Sequence, residues 1–573
     1  MTRTGGDLLA GALADFGVEV VFGLHGGHLD AFLLGCRRHG IRLVDTRHEA
    51  VAVDAAAGYA RSTGRLGVAF ATASSGYSNA LAGVTAAHAD RVPVLLITSS
   101  PPLRDDETNA LQGGIHPIPL VAPVSRWAGT ATVAEELPRL VSLAIRHAVA
   151  AAPGPAVLDV PIDVMFSPVA ESRLSHGGGT RLPAAAAPPP DTVSDTLRLL
   201  HDAARPVIIV GGGGRAGSVP PLVQQFAERT GIPVFAHPAT FGALPADHRL
   251  NGYSAANLAP LTAAGRGPDV VLLLGARPGM FLGGRSGTVL PPTAKIVQVD
   301  TDATEIGRLL PFEIGITADT SQMLRGLLGA EPDTHWPDRS AWAEKAVAVH
   351  RAPAPWENHP SEVGGRLHPF HAVREVLRSL TPGARIIVDG GEMAGWVAAS
   401  LHEARPRSVI GFGGYLGFLG VTFGLAVGTQ IAHPDDQVVL MIGDGAFGFH
   451  PQELDTMVRH QLPILTVVVN NACWGMSLHG QQEMFGPEGE LVSRLADTDY
   501  DQVASGFGAH GERVSTLDGI RPAIRRALGS GRPTLINLDV AGQVVHPGTP
   551  AMVGFTHDPA VVVIPYYDNI PAR

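Results

Sequence analysis

Cysteine is nearly missing from this chain: Cys36 and Cys473 are the only two in 573 residues. Two thiols cannot build a disulfide framework, and a reducing cytoplasm is the expected setting. Lysine is as scarce, with Lys295 and Lys345 set against 40 arginines. Lys295 opens the strand-like "KIVQVD" and Lys345 lies in an alanine-rich stretch, so neither has surroundings that depress an amine pKa. That argues against Schiff-base or pyridoxal chemistry. If a carbanion is stabilised here, another electron sink does it. Long apolar runs are also lacking, and none approaches the ~18 residues that span a bilayer. The start, "MTRTGGDLLAGALADFG", has no basic region followed by an apolar stretch, so no secretory signal is expected. Positive charge is in deficit, the formal net charge being −11. Nucleic acid and anionic membranes, which repel such a chain at long range, are not expected as partners.

What is present is alternation. A chain this long cannot share one core, and three or four domains are expected. Short β-like runs ("VVFGLHG", "LGVAFATA", "VPVLLITSS", "PAVLDVP") alternate with helix-like ones, which predicts an α/β fold with a parallel sheet covered on both faces. "SRLSHGGGTRLPAAAAPPPD" and "HRAPAPWENHPSEVGGRL" read as linkers. The division is therefore a first doubly wound domain over 1–170, a linker over 171–191 and a middle Rossmann-like domain over 192–345. A second linker covers 346–367, a third domain 368–545, and an extended C-terminal arm 546–573.

In the third domain, "QVVLMIGDG" reads as a buried strand leaving its sheet at a tight turn. Leu454, Met457, Val458 and Leu462 mark a helical face, and "PILTVVVNN" is a second strand. A right-handed strand–helix–strand unit brings both strand ends to one edge, where open α/β sheets bind ligands. Asp444 and Asn471 are expected to converge there. One carboxylate and one amide oxygen suit Mg²⁺, which completes its octahedron with phosphates and water. Gly443 and Gly445 permit close backbone approach, and the next helix offers N–H groups to a phosphate. Gly-Asp-Gly alone is a common turn; the helix, the second strand and Asn-Asn at this spacing make it a site.

This stretch resembles the cofactor motif of the thiamine-diphosphate (ThDP) enzymes, and the resemblance covers nearly the whole chain. It implies a pyrimidine-binding domain, a middle domain and a diphosphate-binding domain, in the order found in acetohydroxyacid synthases, oxo-acid decarboxylases and oxidases, and benzaldehyde lyase. It implies ThDP and Mg²⁺ as cofactors, with metal ligands at Asp444, Asn471 and the backbone carbonyl of Cys473. Cofactor contacts are implied at Thr72, Gly390, Gly391, Gly417, Gly443, Gly445, Ala446, Phe447, Asn471, Trp474 and Gly475. Leu419 matches the apolar residue that props the cofactor into its bent shape. The glutamate that shares a proton with the cofactor's aminopyrimidine matches Glu49, in "DTRHEAVAVDAAAGYAR". Read from the residues alone, Glu49 is equally a first-turn glutamate favoured by the helix dipole. The alanines around it suggest a tight apolar contact, and burial there would raise its pKa.

Within that family the chain is most similar to benzaldehyde lyase, through "FGLHGGHLD", "DTRHEA", "LRDDETNALQGGI", "LHPFHA" and "NNACWGMSLHGQQ". The likeness implies catalytic polar contacts from His28 and Gln112, beside Glu49, with His25 also lining the pocket. It departs at Ile162 and Ala394, which stand where the aryl lyase has bulky aromatics, and at Phe418 and Met476, which are larger than their counterparts; Gly480 completes the pocket. The preferred aldehyde need not be aromatic. The ending "VVVIPYYDNIP" is instead similar to acetohydroxyacid synthases. The implied reaction is cleavage or formation of α-hydroxy ketones from aldehydes. The alternative is decarboxylating ligation of a 2-oxo acid such as pyruvate. A flavin or nicotinamide enzyme is a further reading, from "VGGGGRAG", but no acidic residue lies about 20 positions on, and FAD is not expected. Small molecules are the expected partners, in a homo-oligomer of homotetramer type with sites at subunit interfaces.

Overall fold

The computed structural model describes residues 3–571 apart from 106–110, 151, 171–178, 213–218, 238–239, 285, 331–334, 412–413, 554–560 and 563–569. Three parallel sheets carry the chain, each covered by helices. Every strand expected above is present as a strand, and the runs "VVLMIG" (Val438–Gly443) and "LTVVVN" (Leu465–Asn470) are buried almost throughout. Unbroken apolar runs are the signature of parallel strands covered on both faces.

The first sheet has six parallel strands, in the spatial order Arg42–Asp45, Val20–Gly23, Gly67–Phe70, Val94–Thr98, Pro155–Asp159, Trp127–Thr130. Numbered along the chain, that is 2-1-3-4-6-5. The third sheet repeats it with Ser408–Gly411, Arg385–Val388, Val438–Gly443, Leu465–Asn470, Thr534–Asp539 and His510–Val514. The middle sheet differs: Asn251–Ser254, Val234–Ala236, Pro206–Val210, Val270–Leu274, Lys295–Asp300 and Ile314–Thr317 give 3-2-1-4-5-6. One crossover was not anticipated. Thr240–Phe241, from the middle segment, pairs antiparallel with Ser408–Gly411 and becomes the seventh strand of the third sheet.

The first and third domains meet through two helices that follow the second strand of each, Glu49–Thr63 and Thr422–Ala432. Both are rich in small residues, and the backbones nearly touch. A Cβ on Gly428 would lie 1.9 Å from the Ala55 carbonyl oxygen, and one on Gly58 2.5 Å from that of Leu425. The alanines beside Glu49 are thus the tight apolar contact foreseen. Polar ties flank it: the Arg47 N–H donates to Glu453, and Asp45 pairs with Arg459 and His460.

The tail departs from expectation. Gly548–Val553 is helical, not extended. Pro550 falls in its first turn, where a missing N–H breaks no intrahelical hydrogen bond. Most of "VVVIPYYDNIP" and residues 213–217 of the glycine-rich run lie outside the described residues.

Candidate active site

Two clusters form, each at the carboxyl edge of a 2-1-3-4-6-5 sheet around its switch point, where such sheets bind ligands. The metal-type cluster is in the third domain. Strands Val438–Gly443 and Leu465–Asn470 are neighbours, with Gly443 paired to Val469, so Asp444 and Asn471 emerge side by side. Asp444 is 2 % exposed, and its Oδ2 is buried without a hydrogen-bond partner. Burial pushes its carboxyl up to about 6, although the N–H groups of Gly445, Asn471 and Cys473 act against that shift. Such an oxygen, without a partner among the described residues, fits a cation or a water. Cys473 is buried and its thiol is pushed up to about 12, so its carbonyl oxygen, not a thiolate, is the available ligand.

The two asparagines divide the work. Asn470 is fully buried; its amide donates to the Thr498 carbonyl and to Asn537 Oδ1, and its Oδ1 accepts the Ala472 N–H. It holds the loop. Asn471 is half-buried and its Oδ1 accepts the Cys473 N–H at 3.3 Å, and Ala472 between them adopts φ +56°, in the left-handed region alanine avoids.

The remaining third-domain residues gather on the same edge. A Cβ placed on Gly391, Gly417 or Gly443 would meet nothing within 4 Å, so these glycines border open space of the kind a diphosphate needs. Gly390 and Gly420 are held by one group: buried Asp389 accepts from both N–H groups and from the Thr422 hydroxyl. Gly445 is obliged by Trp474, whose ring a Cβ there would meet at 2.6 Å. Phe418 and Leu419 are half-buried against the core; Ala394, Met476 and Gly475 are half-buried, and Gly480 is buried. Ala446 and Phe447 are both buried, and Phe447 packs on Phe423 and Tyr500, so its ring belongs to the core and a contact there would come from its backbone.

The second cluster is in the first domain. Glu49 is 6 % exposed and accepts from Asn79 Nδ2 at 3.0 Å. A Cβ on Gly76 would lie 3.3 Å from its Oε1 and 2.9 Å from the Thr72 methyl, and one on Gly26 would strike Thr72. The loop Gly26–His28 therefore abuts Thr72, and Thr72 and Gly76 border Glu49. Ile162 begins a short helix packed against Gly27–Leu29. His28 is half-buried with Nδ1 lacking a partner, and burial lowers its pKa, keeping the ring neutral at neutral pH. Ser74 donates to the Gln112 carbonyl, and both sit at positive φ, +53° and +59°. His25 is exposed and paired with Asp30, and His116 is exposed, so neither shares the enclosure of His28. No hydrogen bond or ion pair among the described residues joins Glu49 to Asp444, Asn471 or Cys473. Asn79, Asp389 and Asn470 were missed from sequence; an Asp or Asn closing an apolar strand was the available signal for the last two.

A cavity of about 340 Å³ lies at the carboxyl edge of the middle sheet, between Gly211, Gly275, Asp300 and Asp319 and the first-domain residues Arg61, Asp90 and Arg91. The acidic groups absent from the first strand–helix unit thus come from other strand ends. Asp300 is already engaged by Arg91 at 2.8 Å.

Comparison with known proteins agrees with this layout. Residues 3–120 match the N-terminal TPP binding domain of thiamine pyrophosphate enzymes, 193–327 the central domain, and 389–538 the C-terminal TPP binding domain. The chain belongs to the thiamine pyrophosphate enzyme family, whose domains bind thiamine diphosphate. A probable acetolactate synthase of Mycobacterium bovis is 34 % identical over 550 residues, spanning 95 % of this chain and 97 % of that one. Acetolactate synthase isozyme 2 large subunit of Escherichia coli is 28 % identical, over 92 % and 94 %. The 2-hydroxyacyl-CoA lyase 2 of Bos taurus is 29 % identical, over 96 % and 92 %. The relatives are thus synthases and acyl-CoA lyases, broader than the benzaldehyde-lyase likeness of the motifs. No helix among the described residues is long and apolar enough to cross a membrane.

Proposed function

We propose that this chain is a ThDP- and Mg²⁺-dependent lyase and carboligase that cleaves or forms α-hydroxy ketones from aldehydes. Bound ThDP supplies the nucleophilic carbon and the electron sink for C–C cleavage. Asp444, Asn471 and the Cys473 carbonyl would hold Mg²⁺, Gly391, Gly417 and Gly443 would leave room for the diphosphate, and Leu419 would support the cofactor. Glu49 shares a proton with the ring nitrogen of the aminopyrimidine. His28 and Gln112 hold the substrate hydroxyl and carbonyl, His28 moving a proton at Nδ1.

What supports the aldehyde reading is the charge of the expected lining. Burial lowers the His28 pKa, and Gln112, Ile162, Ala394, Phe418, Met476 and Gly480 bring no fixed cation. A neutral aldehyde or hydroxyketone is matched there; a 2-oxo acid carboxylate would lose water without gaining a counter-ion. The second reading, decarboxylative ligation of pyruvate, is favoured by the acetolactate synthases among the relatives. Flavin is the least supported: the glycine-rich turn lacks the acidic partner of a dinucleotide site about 20 positions on, and Asp300 at the cavity is already paired with Arg91.

Glu49 and Asp444 lie in separate domains, which supports assembly as a homo-oligomer of tetramer type, each site completed by a partner's domain. The test supplies purified protein with ThDP, Mg²⁺ and either aldehydes alone or pyruvate. Acyloin from aldehydes alone is expected. Release of CO₂ from pyruvate without aldehyde coupling moves the assignment to the second reading. A protein that neither retains ThDP nor gains thermal stability from it with the metal ends both.

A further inference from the structure

Behind the metal loop lies a buried charged pair that the reaction above does not use. Glu392 follows Gly391 directly and opens the helix Glu392–Ser400; its side chain is 4 % exposed. His479 sits on Gly475–Phe485, the helix that leaves the metal loop, and its side chain is 1 % exposed. His479 Nδ1 lies 2.8 Å from Glu392 Oε2, and Nε2 lies 2.9 Å from the Gly542 carbonyl oxygen. A carboxylate and a carbonyl only accept, so the ring fills both contacts only by carrying both protons. Burial alone would lower the His479 pKa, but Glu392 and the Gly542 carbonyl outweigh it and raise it.

The pair joins three separate pieces of chain. Glu392 Oε1 accepts from the Thr549 hydroxyl and from the His546 N–H, which ties down the segment that follows the last strand. The same segment presses on the metal loop, since a Cβ on Gly542 would lie 2.5 Å from the Asn471 carbonyl oxygen. On the loop's other side, a Cβ on Gly475 would lie 3.0 Å from Glu392 Oε2 and 2.9 Å from Asn471 Nδ2. The carboxylate and the metal-site amide therefore flank one glycine, with the nitrogen end of the amide on the side of the carboxylate. Asn471 Oδ1, the end a cation needs, is turned into the loop, where it accepts the Cys473 N–H at 3.3 Å and keeps a second lone pair. Buried ion pairs seldom add net stability over apolar packing of the same volume; their best-attested use is to fix one geometry among several.

We propose that Glu392 and His479 are positioning residues, an ion pair that clamps the Asn471–Gly475 loop between the Gly391 turn and segment 542–549 and so fixes the Asn471 amide for the metal. The idea rests on the ThDP reading of the site. It assigns to a pair outside the ligand set a control over cofactor affinity, with little control over turnover once the site is filled.

The experiment titrates ThDP at fixed Mg²⁺, and Mg²⁺ at fixed ThDP, into cofactor-free protein, following tryptophan fluorescence; Trp474 against Gly445 is the near reporter. Glu392→Gln and His479→Gln are expected to raise both half-saturation points about 10–100-fold, the usual effect of losing an outer partner of a metal ligand. At saturation kcat stays within about threefold of wild type, since neither group touches the substrate. Thr549→Val removes the hydroxyl that donates to Glu392 Oε1 on the side away from the loop and serves if the charge variants fold poorly; it too is expected to weaken both titrations. Variants that lose thermal stability in the cofactor-free state yet titrate like wild type overturn the proposal, as does a loss confined to kcat. A wild-type protein that does not bind ThDP at all strikes instead at the reading beneath it.

Discussion

The first and third sheets thread their strands in one order, yet the loops at their carboxyl edges have been given opposite chemistry. After the first strand, one domain offers Gly26–His28 and the other Gly390–Gly391. After the third, one offers Thr72–Gly76 and the other Asp444–Phe447; after the fourth, one leads to Gln112 and the other to Asn471–Gly475. The first domain thereby collects proton-handling groups: Glu49 at the head of the helix after its second strand, and His28 at the switch point. The third collects open glycines and an orphaned carboxylate oxygen suited to a cation and phosphates. On the proposed reading, the same architecture holds a catalyst's acid–base end in one copy and its anchor in the other. The teaching is that the sheet decides where groups gather, while a few loop residues decide what they do.

The sharpest way to break this division is at the proton-handling end. Glu49→Gln keeps a side chain of equal size for Asn79 but cannot share a proton, so kcat should fall about 10²–10⁴-fold with cofactor binding and folding retained, as read by steady-state kinetics and circular dichroism. An active Glu49→Gln variant would falsify the assignment of the first domain. At the anchoring end, Asp444→Asn should weaken Mg²⁺ binding about 100-fold, measured by titration calorimetry with ThDP present. The wild-type affinity should itself depend on acidity. Metal must displace the proton from Asp444, whose metal-free carboxyl titrates at about 6, so half-saturating Mg²⁺ should rise about tenfold per pH unit below that value and level off above it.

Between the two ends sits the helix pair, where the predicted effects are on stability. Glu453 is fully buried, and burial pushes its carboxyl up to about 7, against the Thr456 hydroxyl and the Arg47 N–H. A raised carboxyl binds more protons folded than unfolded, so its contribution is full below about 4.5 and fades as pH climbs to about 7. Subtracting denaturation curves of Glu453→Gln from wild type should therefore reveal a difference that shrinks over that window, by up to about 3 kcal/mol. A flat difference would mean the group is not desolvated as the structure has it. Last, Gly428→Ala drives a methyl into the Ala55 carbonyl, and should cost about 1–3 kcal/mol of stability in chemical denaturation.

Much of this was legible in advance because parallel sheets write themselves plainly. Most central strands are apolar runs, and several of them, such as Val20–Gly23, Pro155–Asp159, Val438–Gly443 and Leu465–Asn470, close on Gly, Asp or Asn at the edge where ligands bind, so "VVLMIGDG" pointed to fold and candidate site together. What stayed hidden depends on partners far along the chain. Nothing near residue 470 says that Asn470 turns inward to Asn537 while Asn471 does not. Phe447, adjacent to the motif, belongs to the core because Phe423 and Tyr500 lie across from it. The link from Glu392 to His479 spans 87 positions, and neither residue stands out locally. The helix at Gly548–Val553 was masked by the prolines around it, since composition does not say that Pro550 lands in a first turn.

The borrowed strand Thr240–Phe241 has a consequence for anyone recombining these enzymes. By lying along Ser408–Gly411 it seals what would otherwise be the bare rim of the seven-stranded sheet. A chimera that exchanges the central segment for a relative's, with its crossover placed after residue 236, removes that seal from a neighbour it never meant to touch. Such a hybrid exposes unpaired backbone amides and carbonyls to other molecules and self-associates, whereas one that keeps 240–241 with the third domain stays dispersed.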